Sequence, residues 1–234
     1  MDDYINMTKI LPEGEKGGYA IRHFALTRSQ VDTERLRAAI HGDSTEVLGL
    51  IPDRMYTKLI RIRNGEIIMS NTPMEMRTNE KFIRYAHGNV LIAGLGLGMV
   101  LTQIGKKADV EKIVVIEKEQ AIIDLVWQHI APQMYCKSAI HHGDIFAYRE
   151  DICLKYDRKF DVIYFDIWPA IRSDNWEDVK RLRKIWRSLL TTSDKAPKPW
   201  MASWREDTVR HLSEDDRRRT KLHRTMEHML KGVI

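Results

Sequence analysis

Two kinds of hydrophobic spacing divide the chain near Thr78. Before it, short β-prone runs dominate: residues 19–26 read as a strand, and 55–63 and 66–70 flank Asn64-Gly65. Asn-Gly between β-prone runs signals a hairpin, because a type I′ turn needs positive φ at both central residues. Residues 29–40 carry a helical pattern opened by a Ser or Asp cap. The β-rich part is expected to end near Pro73, with a helix over 79–86.

From Asn89 onward the periods alternate. Residues 90–93 are continuously apolar, as in a strand buried on both faces, and 99–104 start a helical pattern. The order repeats with a strand at 112–117, a helix at 120–129, a short strand at 138–141 and a strand at 160–166. Asp174 and Glu177 have capping-box spacing, and the helix they open sets Trp176, Val179, Leu182, Trp186 and Leu189 on one face. Residues 200–204 read as a fifth strand and 205–234 as a charged helical end. Such βα alternation implies a parallel sheet covered on both sides. The expected organisation is a β-rich element over 1–78 and an α/β domain over 79–234.

Composition narrows this little. The 234 residues carry a formal net charge of +5 from 38 basic and 33 acidic side chains, which permits an acidic partner without demanding one. No apolar run reaches the roughly 18 residues of a membrane span. The start, Met1-Asp2-Asp3-Tyr4-Ile5, lacks the basic flank and apolar core of a secretion signal. Cys136 and Cys153 stand in neither a metal-ligand nor a redox spacing, so a reduced, cytoplasmic setting is expected.

Candidate chemistry begins at Gly94, Gly96 and Gly98, between the strand at 90–93 and the helix at 99–104. A glycine turn there lets backbone approach a ligand closely and aims helix N–H groups at it. A dinucleotide fingerprint wants a third glycine three residues after Gly96, but that position is Met99. Acids recur instead at the ends of successive strands: Glu117, Asp144 and Asp166. Ligands of open α/β sheets bind beyond those ends. A carboxylate after the second strand can accept from both ribose hydroxyls, and one after the third from an adenine amine.

In these features residues 88–204 resemble the class I S-adenosylmethionine-dependent methyltransferases. The resemblance implies a Rossmann-like parallel sheet and S-adenosylmethionine as cofactor. It implies that Gly94, Gly96 and Gly98 approach the methionine portion, that Glu117 holds the ribose, and that Asp144 with Ile145 frames the adenine. Asp166 would stand beside the sulfonium, as the base if the acceptor must lose a proton, with Tyr164 and His142 as weaker candidates. Among these enzymes the hairpin, the wording around the glycines and the apolar Ile92 look most like the spermidine synthases, which transfer aminopropyl groups. The catalytic positions depart from that branch. Leu97 stands where those enzymes carry an aspartate, and Asp166-Ile167-Trp168-Pro169 lacks their second acid. A buried polyamine needs carboxylates to replace its water. The expected reaction is therefore methyl transfer, with aminopropyl transfer or a non-catalytic nucleotide- or nucleic-acid-binding module as alternatives.

The acceptor, a small molecule or nucleic acid, is not identified by these residues. Trp168 could stack on a planar substrate or serve as a lid or core residue. Glu75 could face a substrate amine or hydroxyl, and Arg77 the methionine carboxylate. Lys180, Arg181, Arg183, Lys184 and Arg187 read as the exposed side of one helix, and Arg217 to Arg219, Lys221 and Arg224 as a second basic cluster. Glu214, Asp215 and Asp216 adjoin that cluster, so pairing within the helix is expected. His211, His223 and His228 have no metal-ligand spacing, and no metal is expected. The usual final antiparallel hairpin of the methyltransferase sheet is not evident. Either the N-terminal strands replace it, or another subunit covers the edge, which leaves a homo-oligomer open.

Overall fold

The computed structural model describes residues 5–41, 49–156, 159–192 and 197–231, with the side chains of residues 41 and 224–231 outside the description. The acidic start over residues 1–4, the last residues of the charged segment (232–234), and the side chains of Arg224 and His228 therefore lie outside the described residues.

The N-terminal region forms a four-stranded antiparallel sheet, β1 (Gly14–Lys16), β2 (Tyr19–Ala25), β3 (Met55–Arg61) and β4 (Glu66–Ser70), in that spatial order. The β3–β4 hairpin is present, but Arg61 pairs with Glu66 across a four-residue loop. Gly65 has φ 68°, and Asn64 is not among the residues with positive φ, so the turn is not type I′. Asn64 Oδ1 instead accepts from Glu66 N–H at 3.2 Å, an Asx turn that the longer loop accommodates. Helix α1 (Arg28–His41) joins β2 towards β3. Its cap is Thr27 rather than Ser29 or Asp32. Thr27 Oγ1 accepts from Gln30 N–H and Gln30 Oε1 from Thr27 N–H, a reciprocal capping box.

Helix α2 (Pro73–Tyr85) starts at Pro73 and not near Asn79. Proline suits the first turn of a helix, where its missing N–H has no partner to lose. The second sheet follows: β5 (Gly88–Ala93), β6 (Val110–Glu117), β7 (Lys137–His142), β8 (Val162–Phe165) and β9 (Trp200–Ser203). Its order is β7-β6-β5-β8-β9, and each neighbouring pair is parallel. The connections carry α3 (Met99–Ile104), α4 (Gln120–Ile130), α5 (Arg149–Lys155) and α6 (Asn175–Trp186), and α7 (Glu206–Lys231) closes the described chain.

The unbroken apolar run of β5 has its reason in two cores. Val90 and Ile92 point to one face, with Ile113, Val115, Val162 and Tyr164. Leu91 and Ala93 point to the other, with Val114, Ile116, Ile163 and Phe165, against α5 and α6. The first core continues into the N-terminal sheet through Tyr19, Ile21 and Leu59. That sheet rests on α4: a side chain at Gly17 would meet the Ala121 methyl at 2.6 Å, and Lys16 pairs with Asp124 at 3.0 Å.

Two expectations at the C-terminal side change. The capping box at α6 does not form, because Asp174 has helical φ and ψ and its side chain makes no cap bond. Asn175 Oδ1 accepts from Arg172 N–H instead, at 2.7 Å. The N-terminal strands do not complete the parallel sheet. They keep a sheet of their own, and β9 is the last strand on its side among the described residues.

Candidate functional site

Parallel strands end together, and the sheet order reverses at β5, so the carboxyl ends of β5, β6 and β8 surround one crevice. A cavity of about 400 Å³ occupies it. Gly94, Gly96, Glu117, Asp144, Ile145 and Asp166 line it from the parallel sheet, with Trp168 beyond Asp166. Tyr19, Arg61, Ile68 and Met69 roof it from the antiparallel sheet.

The glycine turn is tight against its own protein. Gly94 has φ 96°, and a Cβ there would come within 2.0 Å of the Asp166 carbonyl oxygen. Gly96 presses on Met69, whose sulfur receives the Leu97 N–H at 3.4 Å. Gly98 adopts φ 68° at the start of α3 against Ile130 and does not line the cavity. Leu97 is fully buried, so this position of the turn points into the core.

Glu117 ends β6 in a nearly closed environment, 7% exposed. One oxygen accepts from Leu95 N–H at 2.7 Å and the other from Glu119 N–H at 2.8 Å, which ties the acid to the glycine turn. Burial raises its pKa, and these N–H groups oppose the rise. Asp144 differs. Burial alone would raise its carboxyl, but the Lys118 ammonium at 2.9 Å and the Phe146 N–H at 3.0 Å outweigh it and hold the pKa low. Ile145 is buried, and its carbonyl accepts from Trp186 Nε1 at 3.1 Å, so α6 sets its position.

Across the crevice, burial pushes Asp166 up to about 7. Glu75, in the first turn of α2, is raised to about 8 by burial and then by the Asp166 charge, with Arg205 pulling it down. Glu75 lies outside the lining of the cavity but within electrostatic reach of Asp166. Arg77 is exposed, with its guanidinium next to Gly49 and outside that lining. Trp168 donates its indole N–H to Asp178 at 3.2 Å and packs on the second core, as a wall of the crevice. Tyr164 is unsuited as a base. It is buried, stacked on Phe82 at 4.0 Å, and donates to Asn79 Oδ1, and burial carries its pKa well above 10. His142 Nε2 donates to the Lys118 carbonyl, 3.0 Å away, and the residue does not line the cavity.

Sequence reasoning missed the roof. The hairpin was legible, but which face of a separate sheet covers the crevice depends on its docking against α4, and that carries no local signal. The basic helices also differ from expectation. Arg183 is half-buried and holds Glu206 and the Met201 carbonyl, so it is not part of an exposed face. Arg217 pairs with Glu177 of α6 at 2.8 Å, across helices and not with Glu214 to Asp216. Among the described residues no group of three or more His, Cys, Asp or Glu could hold a metal, and no helix is long and apolar enough to cross a membrane.

No protein-family model and no curated protein matches the chain. Solved structures do. Spermidine synthase from Thermotoga maritima is 17% identical, with 77% of this chain and 52% of that chain covered and a TM-score of 0.44. An O-methyltransferase from Bacillus cereus, in complex with SAH, is 13% identical over 61% of this chain and 68% of that one, TM-score 0.40. A SAM-dependent methyltransferase from Thiobacillus denitrificans, in complex with S-adenosyl-L-homocysteine, is 20% identical over 51% and 45%, TM-score 0.38. The chain spans 52% to 64% of the length of the first structures it matches. On its own strand order and parallel crossovers, the second sheet is Rossmann-like and of the class I methyltransferase type.

Proposed function

We propose that the protein is an S-adenosylmethionine-dependent methyltransferase. The observation that carries this reading is the division of labour in one crevice. A buried strand-end acid is tied to the glycine turn on one side, and a carboxyl raised to about 7 stands on the other. A nucleoside with an amino-acid tail fits the donor set. Each Glu117 oxygen spends one lone pair on a backbone N–H and keeps acceptor capacity for ribose hydroxyls. Ile145 and Phe146 offer apolar walls beside Asp144 for a base, and a cavity of about 400 Å³ is of ordinary cofactor size. When bound, the sulfonium supplies an already activated methyl group.

The chain's own part is to hold acceptor and donor in line and to take a proton. Asp166, poised near neutrality, can accept a proton from an acceptor hydroxyl or amine. Trp168 and Pro169 border the approach. The test is calorimetric titration of the intact protein with S-adenosylmethionine and S-adenosylhomocysteine. Micromolar binding that Glu117→Ala weakens supports the reading. Absence of binding at millimolar ligand rejects it.

One observation favours a second reading, aminopropyl transfer to an amine. Glu75 gives Asp166 a carboxylate neighbour from a different part of the chain than the spermidine synthase motif, and paired acids suit a cation. Decarboxylated S-adenosylmethionine binding more tightly than the intact cofactor would select it.

A further inference from the structure

Adjacent residues of a strand ordinarily point to opposite faces, yet Ile68 and Met69 of β4 both line the crevice. A bulge accounts for this. Leu59 of β3 pairs with Met69 and Ile60 with Ile67, so β4 carries Ile68 as an extra residue between them. The bulge re-aims the strand, and Met69 comes down on the glycine turn. A Cβ at Gly96 would lie 2.5 Å from its sulfur and 2.9 Å from its methyl carbon. Leu97 N–H donates to that sulfur at 3.4 Å, whereas Leu95 N–H and Gly98 N–H donate to oxygens at 2.7 and 2.8 Å. A thioether is a weak acceptor, so the turn keeps one N–H that a better acceptor can take over.

Met69 also divides the space over the turn. On one side lies the cavity of about 400 Å³ that Glu117 and Asp144 line. On the other, beside Phe82 and Tyr164, is a hollow of about 20 Å³, room for a water and little more. Met69, Gly94, Gly96 and Asp166 line both. We propose that Met69 is a displaceable stopper, lifted off the glycine turn by the amino-acid tail of the cofactor. It thereby sets how strongly the crevice distinguishes ligands with that tail from bare nucleosides. The proposal rests on S-adenosylmethionine being the ligand. A methionine side chain is unbranched and flexible, so it can swing aside while β4 stays in place. Its departure joins the hollow to the cavity and frees the Leu97 N–H. A tail carboxylate oxygen accepts that N–H more strongly than the sulfur does, because the bond is charge-assisted. A nucleoside without the tail fills the side of Glu117 and Asp144 and leaves Met69 where it is.

The test is calorimetric titration of the intact protein and of Met69→Ala with two ligands. One is S-adenosylhomocysteine, and the other is methylthioadenosine, which has the same nucleoside and no amino-acid tail. Met69→Ala raises the preference for S-adenosylhomocysteine over methylthioadenosine about tenfold, the order expected when one side chain no longer has to be moved and held aside. Should that variant not fold, NMR of the wild type labelled at its methionine methyl groups carries the second arm. The Met69 signal, assigned with Met69→Leu, moves on adding S-adenosylhomocysteine and stays in place with methylthioadenosine. An unchanged or lower preference, or a methyl signal that responds alike to both ligands, overturns the proposal and leaves the cofactor reading standing. Binding of neither ligand to either protein overturns both.

Discussion

At the β6–β7 rim of the crevice, Glu117 and Asp144 meet backbone N–H groups and an ammonium, while on the β8 side Asp166 is raised by burial alone, and Glu75 of α2, behind the lining, by burial and the Asp166 charge against the pull of Arg205. Both rims are built from strand-end or helix-start acids on the same scaffold. Partners make the difference. Asp144 stays charged because Lys118 and Phe146 N–H satisfy its ionised form, and Glu117 has two N–H groups working against its burial. Asp166 has burial alone, and it titrates near neutrality. An acid that is already satisfied can orient a ligand without exchanging protons, and an acid without such partners is free to exchange one. The comparison therefore assigns holding to one rim and proton handling to the other.

The most severe way to break this division is to disturb the point where the rims meet. Gly94 combines φ 96° with a Cβ that would lie 2.0 Å from the Asp166 carbonyl, so Gly94→Ala should cost about 4 kcal/mol or more. Urea denaturation measures it, and a loss below about 1 kcal/mol would mean that the turn opens easily. Next comes the holding rim. Glu117→Ala leaves the Leu95 and Glu119 N–H groups without their partner, for about 2–3 kcal/mol of stability, together with the loss of S-adenosylhomocysteine affinity in calorimetry.

The proton-handling rim gives a pH signature of the opposite kind. Folded Asp166 binds a proton up to about pH 7 that the unfolded chain has already released near pH 4. Its contribution to stability is therefore full below about pH 4, falls as pH rises, and is lost once pH passes about 7. Asp166→Asn should remove that slope and raise stability at pH 8 by about 2 kcal/mol, allowing for the solvent that reaches the crevice. Melting curves from pH 4 to 8 would show parallel profiles for variant and wild type if the assignment is wrong. The smallest effect is at Lys118, whose ion pair with Asp144 is largely exposed. Lys118→Ala should cost about 0.5 kcal/mol and move the Asp144 carboxyl upward in an NMR titration. An unmoved Asp144 would leave the holding rim without its ammonium.

Much of this arrangement was legible along the chain. The strands expected at 90–93, 112–117 and 160–166 became β5, β6 and β8, whose central residues 90–93, 113–116 and 162–165 are continuously apolar because both faces there are buried. Glu117, Asp144 and Asp166 were placed at strand ends for the same reason, since apolar character stops where the sheet meets solvent or a crevice. Local turn chemistry was less secure. Asn64-Gly65 signalled a hairpin but not its loop length, and Asp174 with Glu177 had the spacing of a capping box without forming one. Side chains at such termini choose among several nearby N–H groups, and tertiary neighbours decide the choice.

The sequence by itself thus determined the alternation of strands and helices, the glycine turn and the row of acids, all of which follow from spacing within one element. Only the tertiary structure decided that Met69 and Arg61 of a separate sheet roof the crevice. It also decided that Gly98 turns towards Ile130, that Glu75 comes within the field of Asp166, and that the Met69 side chain settles on the glycine turn. Each of these joins residues far apart in the chain, and their meeting depends on how whole sheets and helices dock, which no local periodicity encodes.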